Sequence, residues 1–542
     1  MKPVHADVAS CRALIACGNP THRSLQAGTL RDIGVGQVVQ ASRIEEVRRL
    51  LEGNVFDIVL CDYHFEQSSM TGQDLLDELR SSHALPYATV FIMVTGEASY
   101  ARVAEAAELA LDGYLLKPYT TAALEQRMLQ ARHRKLVLKT IFDAIEAGDL
   151  ARAAGIGQAR FESRGEYALT AARIAAELFI RLGRYTAAAD VYRTALQAQA
   201  LPWARLGLAR TQFETGAPAP AIATLQELVR QRPDYADAWD LMGSVQFESG
   251  ELEAAIEAYR SALRLTPHSV ARLQRLGMLA FYLGRHDEAL EALERVVRLG
   301  LGSRNFDCQT LVLLAMLQFD KHDARSLTRT AENLRLKATR QPDDRRLRRF
   351  VDTVDTLHGL NERTRNACAV RAEAQAGQTR NEDFDFEAAT NLLALLIRLD
   401  KARVPITEMP SWVDTVAQRF CVCSASAELL ARALQEQEPF AGLIRAGHAR
   451  ITGIVDSAMG FSHQNDAQSA VGSLLLTAGE TLNARLIDLA CKLITQHAPA
   501  LDGNPELAAR AGDLQRRHGT RRHHLALGGE TGRATGALNI RA

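Results

Sequence analysis

The residues best placed to do chemistry are Asp62, Thr95 and Lys117. Asp62 closes the stretch Phe56 to Asp62, in which Ile58, Val59, Leu60 and Cys61 form the apolar run of a short strand buried on both faces of a parallel sheet. Thr95 follows a similar run, Thr89 to Val94, and Lys117 follows Gly113 to Leu116. A carboxylate, a hydroxyl and an ammonium therefore stand at the C-terminal ends of three strands. Open α/β sheets do their chemistry at that edge. Elsewhere the chain has no Gly-rich phosphate loop, no paired catalytic carboxylates and no nucleophile elbow, so an enzymatic output is not expected. The eight cysteines (Cys11, Cys17, Cys61, Cys308, Cys368, Cys421, Cys423 and Cys491) include no Cys-x-x-Cys pair and read as buried packing thiols, not metal ligands.

These residues need a sheet to position them, and residues 12–132 read as one. Strands over Arg12–Ala16, Val35–Gln40, Phe56–Cys61, Thr89–Val94 and Gly113–Leu116 alternate with helical segments from about His22, over Arg43–Gly53, Gly72–Ser81 and Ala98–Leu111. Strands separated by helices of this length predict a parallel sheet with right-handed crossovers.

On those marks the segment resembles the receiver domain of two-component response regulators, which implies a flavodoxin-like, doubly wound fold. The resemblance assigns Asp62 as phospho-acceptor, Thr95 and Lys117 as the groups that contact the phosphoryl group, and Tyr114 as the switch aromatic. An aspartate attacking a phosphoryl group meets the repulsion of two anions, which a bound Mg²⁺ relieves. Receivers hold that ion with an acidic pair after the first strand, the acceptor aspartate and a backbone carbonyl two residues beyond it, here His64. In this chain the acidic pair is replaced by Cys17 and Gly18, neither of which offers a side-chain oxygen, so Mg²⁺ binding is weakened and no cofactor is expected. Three readings of Asp62 follow: it still accepts phosphate, it pairs permanently with Lys117 in a pseudo-receiver, or it is an ordinary strand-end polar residue.

The remainder reads as helical. Gly216, Gly250 and Gly284 recur every 34 residues, as do Ala221, Ala255 and Ala289, and Pro233 and Pro267. That period resembles the tetratricopeptide repeat, an all-α solenoid that offers a concave surface to proteins. By that resemblance Arg210, Phe213, Asp240, Phe247, Glu248, Gln274 and Phe281 are groove candidates, and the three phenylalanines read equally well as stacking core. Thr121 to Gly148 reads as one uninterrupted helix joining the two parts, with the cations from Arg127 to Lys139 on a solvated face. The expected organisation is an N-terminal extension (1–11), a receiver or pseudo-receiver (12–132), tetratricopeptide-type repeats (133–303), a diverged helical region (304–518) and a disordered tail (519–542).

Lys plus Arg and Asp plus Glu number 64 each, so overall charge gives no reason to expect nucleic acid as partner. No apolar run is long enough to span a membrane and the N-terminus lacks a signal-peptide core, so a cytoplasmic protein without membrane insertion is expected. The function implied is a phosphorelay adaptor whose partner is a sensor histidine kinase or another response regulator. The alternative is a phosphate sink that turns over phosphate on Asp62.

Overall fold

The computed structural model describes residues 8–65, 71–82, 84–96, 112–302, 306–434, 437–497, 505–519 and 527. The predicted helix over Ala98–Leu111 lies outside them. So does the predicted tail, apart from Gly519 and Leu527, and Leu527 is buried in the large helical core rather than free.

The N-terminal unit is a five-stranded parallel sheet of order β2-β1-β3-β4-β5. Its strands are β1 (Arg12–Ala16), β2 (Gln37–Ala41), β3 (Ile58–Asp62), β4 (Val90–Thr95) and β5 (Gly113–Leu116). Helices α1 (Pro20–Asp32), α2 (Ile44–Gly53) and α3 (Gly72–Ser81) pack on it. This is the flavodoxin-like order expected from the alternating pattern. β1 and β3 pair as Ala13 with Ile58 through Ala16 with Cys61, so the loop after β1 stands beside Asp62. Every residue of β3 and of β4 is buried, as their unbroken apolar runs require. The limits of β1, α3 and β5 coincide with the predicted ones, and the others differ by one or two residues.

α4 (Thr121–Val137) starts at Thr120, whose side chain accepts from the Ala123 amide at 3.2 Å. It does not run on to Gly148. Leu138 leaves the helical region (φ −96°, ψ 9°), and α5 (Lys139–Glu146) starts as a separate helix. The predicted single helix is therefore corrected to two. No Pro or Gly causes the break; Leu138 is fully buried in a core that also contains Tyr87, from the loop before β4. The cations of the predicted solvated face divide: Arg127, His133 and Lys139 are exposed, whereas Lys135 is buried.

Helical hairpins follow. Those over 168–198, 202–231, 236–265 and 270–300 succeed one another so that the first helices of successive units pack side by side along a solenoid. The recurrent glycines Gly183, Gly216, Gly250 and Gly284 sit at the turns with φ between 71° and 84°, the left-handed region open to glycine at little cost. The chain stays helical to His518 among the described residues. The helix Phe386–Lys401 is buried on all sides from Ala388 to Leu399, the mark of a helix enclosed by others.

Candidate functional site

Asp62 ends a fully buried strand and is itself 6 % exposed. The Lys117 Nζ lies 3.0 Å from each of its carboxylate oxygens. Lys117 is placed by the end of β5, where its backbone amide donates to the Thr95 carbonyl at 2.6 Å. Thr95 is buried at the end of β4, and Tyr114 is buried in the core between the sheet and α2 and α3. The structure thus brings Asp62, Thr95 and Lys117 to one sheet edge and places Tyr114 inward.

Two groups that the sequence reading missed complete the edge. Gln26 is 2 % exposed on α1, and its Nε2 lies 3.5 Å from Asp62 Oδ1. Its signal in the sequence is an amide on the same helical face as Ala27 and Leu30, an apolar position that a polar residue occupies only when it has work to do. Gly72 is the second. A Cβ there would stand 2.4 Å from the Asp62 carbonyl oxygen and 2.8 Å from Met93 Sδ, so the start of α3 presses on the backbone of Asp62 as only glycine permits.

α1 begins where the loop after β1 turns. Asn19 caps it by accepting from the His22 amide at 3.1 Å, and Pro20 occupies its first turn. This places His22 Nδ1 3.5 Å from Lys117 Nζ. It also lets Arg23 donate to the carbonyls of Cys17 and Gly18, at 2.7 and 3.4 Å.

The position an acidic pair would occupy holds Cys17, which is wholly buried and donates to the Asn19 carbonyl at 3.5 Å. Burial and then the neighbouring Asp62 push its thiol up to about 12, so it is protonated at neutral pH. Mg²⁺ demands near-octahedral oxygen coordination. Among the described residues this edge offers one side-chain carboxylate, Asp62, already bonded to Lys117, and the carbonyls of Cys17 and Gly18 accept from the Arg23 guanidinium. These residues do not fit a Mg²⁺ site. Among the described residues there is also no group of three or more His, Cys, Asp or Glu side chains arranged to hold a metal.

The groove candidates divide. Asp240, Phe247 and Gln274 are 3 %, 2 % and 3 % exposed and do not line an open groove, which corrects the sequence reading. Asp240 bonds Arg272 at 2.6 Å, Gln274 donates to Thr310 at 3.2 Å and Phe247 is stacking core. The physical reason is that successive first helices interlock through these side chains. Arg210 pairs with Glu177 at 2.8 Å across the same kind of joint. Phe213 and Phe281 are partly buried against the core, and Glu248 is half-buried. Further along, the first-helix face is covered by the helix Phe386–Lys401. Thr390 Oγ1 meets Tyr282 Oη at 3.4 Å, Asn391 and Gln309 exchange two 2.8 Å hydrogen bonds, and Arg398 donates to Asp320 at 2.9 Å.

A parallel five-stranded sheet in this order, with an acidic, a hydroxyl and a basic residue at one edge, defines a receiver-type α/β domain, here continued by a helical-repeat solenoid. The model of the response regulator receiver domain matches residues 14–129. Tetratricopeptide repeat models match residues 179–245, 236–269 and 271–299. The chemotaxis protein CheY-3 of Vibrio cholerae serotype O1 is 31 % identical over 117 residues, covering 22 % of this chain and 88 % of that protein. The chemotaxis protein CheY of Pseudomonas aeruginosa is 31 % identical over the same length, covering 22 % and 92 %. A solved receiver domain protein from Clostridium thermocellum is 25 % identical with a TM-score of 0.21, covering 24 % of this chain and 98 % of that one. The chain belongs to the response regulator receiver family through its N-terminal domain, and tetratricopeptide repeats follow that domain. No described helix is long and apolar enough to cross a membrane.

Proposed function

We propose that the protein is a signalling adaptor of the two-component type, built from a pseudo-receiver and a tetratricopeptide scaffold that binds another signalling protein. The observation that carries this reading is the Asp62 carboxylate, bridged by Lys117 at 3.0 Å to both oxygens. Burial makes an unpaired polar side chain costly, and the Lys117 amine at this distance supplies Asp62 with a partner that is not a divalent ion. Domain limits of 12–132 for the receiver, 133–303 for the repeats and 304–518 for the diverged helical region accompany this proposal. Receivers dock on the phosphotransfer helices of sensor kinases, and a receiver that takes no phosphate competes there with one that does. A sensor histidine kinase or another response regulator is therefore the partner class, in the cytoplasm.

The test is chemical. The full chain is incubated with Mg²⁺ and a small-molecule phosphodonor and its mass measured beside Asp62→Asn. The expected outcome is no added mass in either. An acid-stable, alkali-labile gain of one phosphate that Asp62→Asn abolishes would overturn the pseudo-receiver and establish the phosphate sink in its place.

A further inference from the structure

The receiver and the scaffold meet at the end of the sheet opposite to Asp62. Asp112 immediately precedes β5, as Lys117 immediately follows it, so one four-residue strand spans from the carboxylate site to the joint. Asp112 is buried and fastened to β4, accepting from the Phe91 amide at 3.0 Å. Its other carboxylate oxygen lies 3.0 Å from Lys135 Nζ on α4. Lys135 also donates to the Tyr87 carbonyl at 2.6 Å and stands 4.7 Å from the centre of the Phe142 ring on α5. Tyr87 lies parallel to Phe142 at 6.3 Å, and its amide donates to Glu146, at the end of α5, at 2.8 Å. On the receiver side Arg80 from α3 stands 4.9 Å from the Tyr87 ring and donates to the Leu85 carbonyl at 3.0 Å.

One ammonium therefore bonds the base of β5, the loop before β4 and, through Tyr87 and Phe142, the first scaffold helix. We propose that Lys135 is the pin of an interdomain latch, through which a displacement of β5 at the Asp62 end reaches the repeat scaffold. The break at Leu138 makes such a latch necessary, because two separate helices cannot transmit a displacement as one rod. The charged and titratable groups around the pin are Asp112, Arg80, Arg134, Tyr87 and Glu146. A single acid, Asp112, directly offsets Lys135, so the pin is held by geometry and hydrogen bonding more than by excess opposite charge. The latch stands independently of whether Asp62 takes a phosphoryl group.

Hydrogen–deuterium exchange of the full chain tests it, read at the Tyr87 and Phe91 amides, whose acceptors are Glu146 and Asp112. Lys135→Met keeps the stem and removes the hydrogen-bond donor to Tyr87 and Asp112. It is expected to speed exchange at both amides by roughly tenfold or more while the amides of Leu14 and Leu60 in β1 and β3 keep their rates. Unchanged exchange at Tyr87 and Phe91, or an equal rise through β1 and β3, would overturn the latch. Should Lys135→Met fail to fold, Glu146→Ala on an exposed residue is expected to speed Tyr87 alone, and an unchanged Tyr87 amide counts against the proposal. Lys117→Ala, at the other end of β5, is expected to speed Tyr87 as well. No effect there would remove β5 as the link.

Discussion

The hairpins before and after residue 303 make the same turn by different means. In the earlier ones the left-handed turn residue is Gly183, Gly216, Gly250 or Gly284. In the later ones the corresponding residues are His322, Arg363, Arg403 and Asn465, with φ from 55° to 62°. A side-chain-bearing residue in that region costs about 1–2 kcal/mol. The earlier hairpins thus hold their turns by local backbone freedom. Those of His322, Arg363 and Arg403 are imposed from outside, by packing around the helix Phe386–Lys401, whose Leu393, Leu395, Leu396 and Leu399 are all fully buried. A fold can keep a backbone geometry after losing the residue that favours it, provided tertiary contacts supply the difference.

The largest expected effect tests that external support. Leu396→Ala should destabilise the later hairpins by about 2–5 kcal/mol in denaturant unfolding, with the receiver sheet unaffected in exchange protection. A loss below 1 kcal/mol would mean that the later turns are not held by this helix. Next come two substitutions of opposite sign. Gly250→Ala should cost about 1–2 kcal/mol, whereas Arg363→Gly should be neutral or raise stability by up to about 1 kcal/mol. If both destabilise equally, the contrast between local and imposed turns fails.

The smallest effect is one of pH, at the joint outside both groups of hairpins. Burial lowers the Lys135 ammonium from 10.5 to about 8, against the partial compensation of Asp112. Between those values the docked state binds fewer protons at this site than the undocked one, so docking strengthens as pH rises from about 8 toward 10.5 and is independent of this group below about 8. Exchange at Tyr87 should therefore slow, relative to its intrinsic pH dependence, across that window in the native chain and lose the trend in Lys135→Met.

What could be read from the sequence follows the same division. The 34-residue glycine spacing made the earlier hairpins legible, because each glycine marks a backbone requirement. The later turn residues are spaced 38, 41 and 40 apart from Gly284 to Arg403 and carry no such mark, so they read only as helical. At the sheet edge Asp62, Thr95 and Lys117 were legible because strand ends are set by apolar runs. Gln26 was not, since a single amide on a helix face announces its partner only once β3 is beside it. The break at Leu138 was invisible for a similar reason: its cause includes Tyr87, which lies 48 residues from Lys135 and has no periodic relation to it.

The enclosed helix Phe386–Lys401 also sets an order of events during synthesis. Tyr282 and Gln309 must wait for Thr390 and Asn391, 108 and 82 residues later, before their side chains find these partners. At about 5–20 residues per second, the apolar face of the hairpins from Val270 onward stays bare for roughly 5–20 s after it leaves the ribosome. A nascent chain stopped before residue 386 has no internal cover for that face, so the last third of the polypeptide acts on the middle third as a chaperone would, delivered late and retained for good.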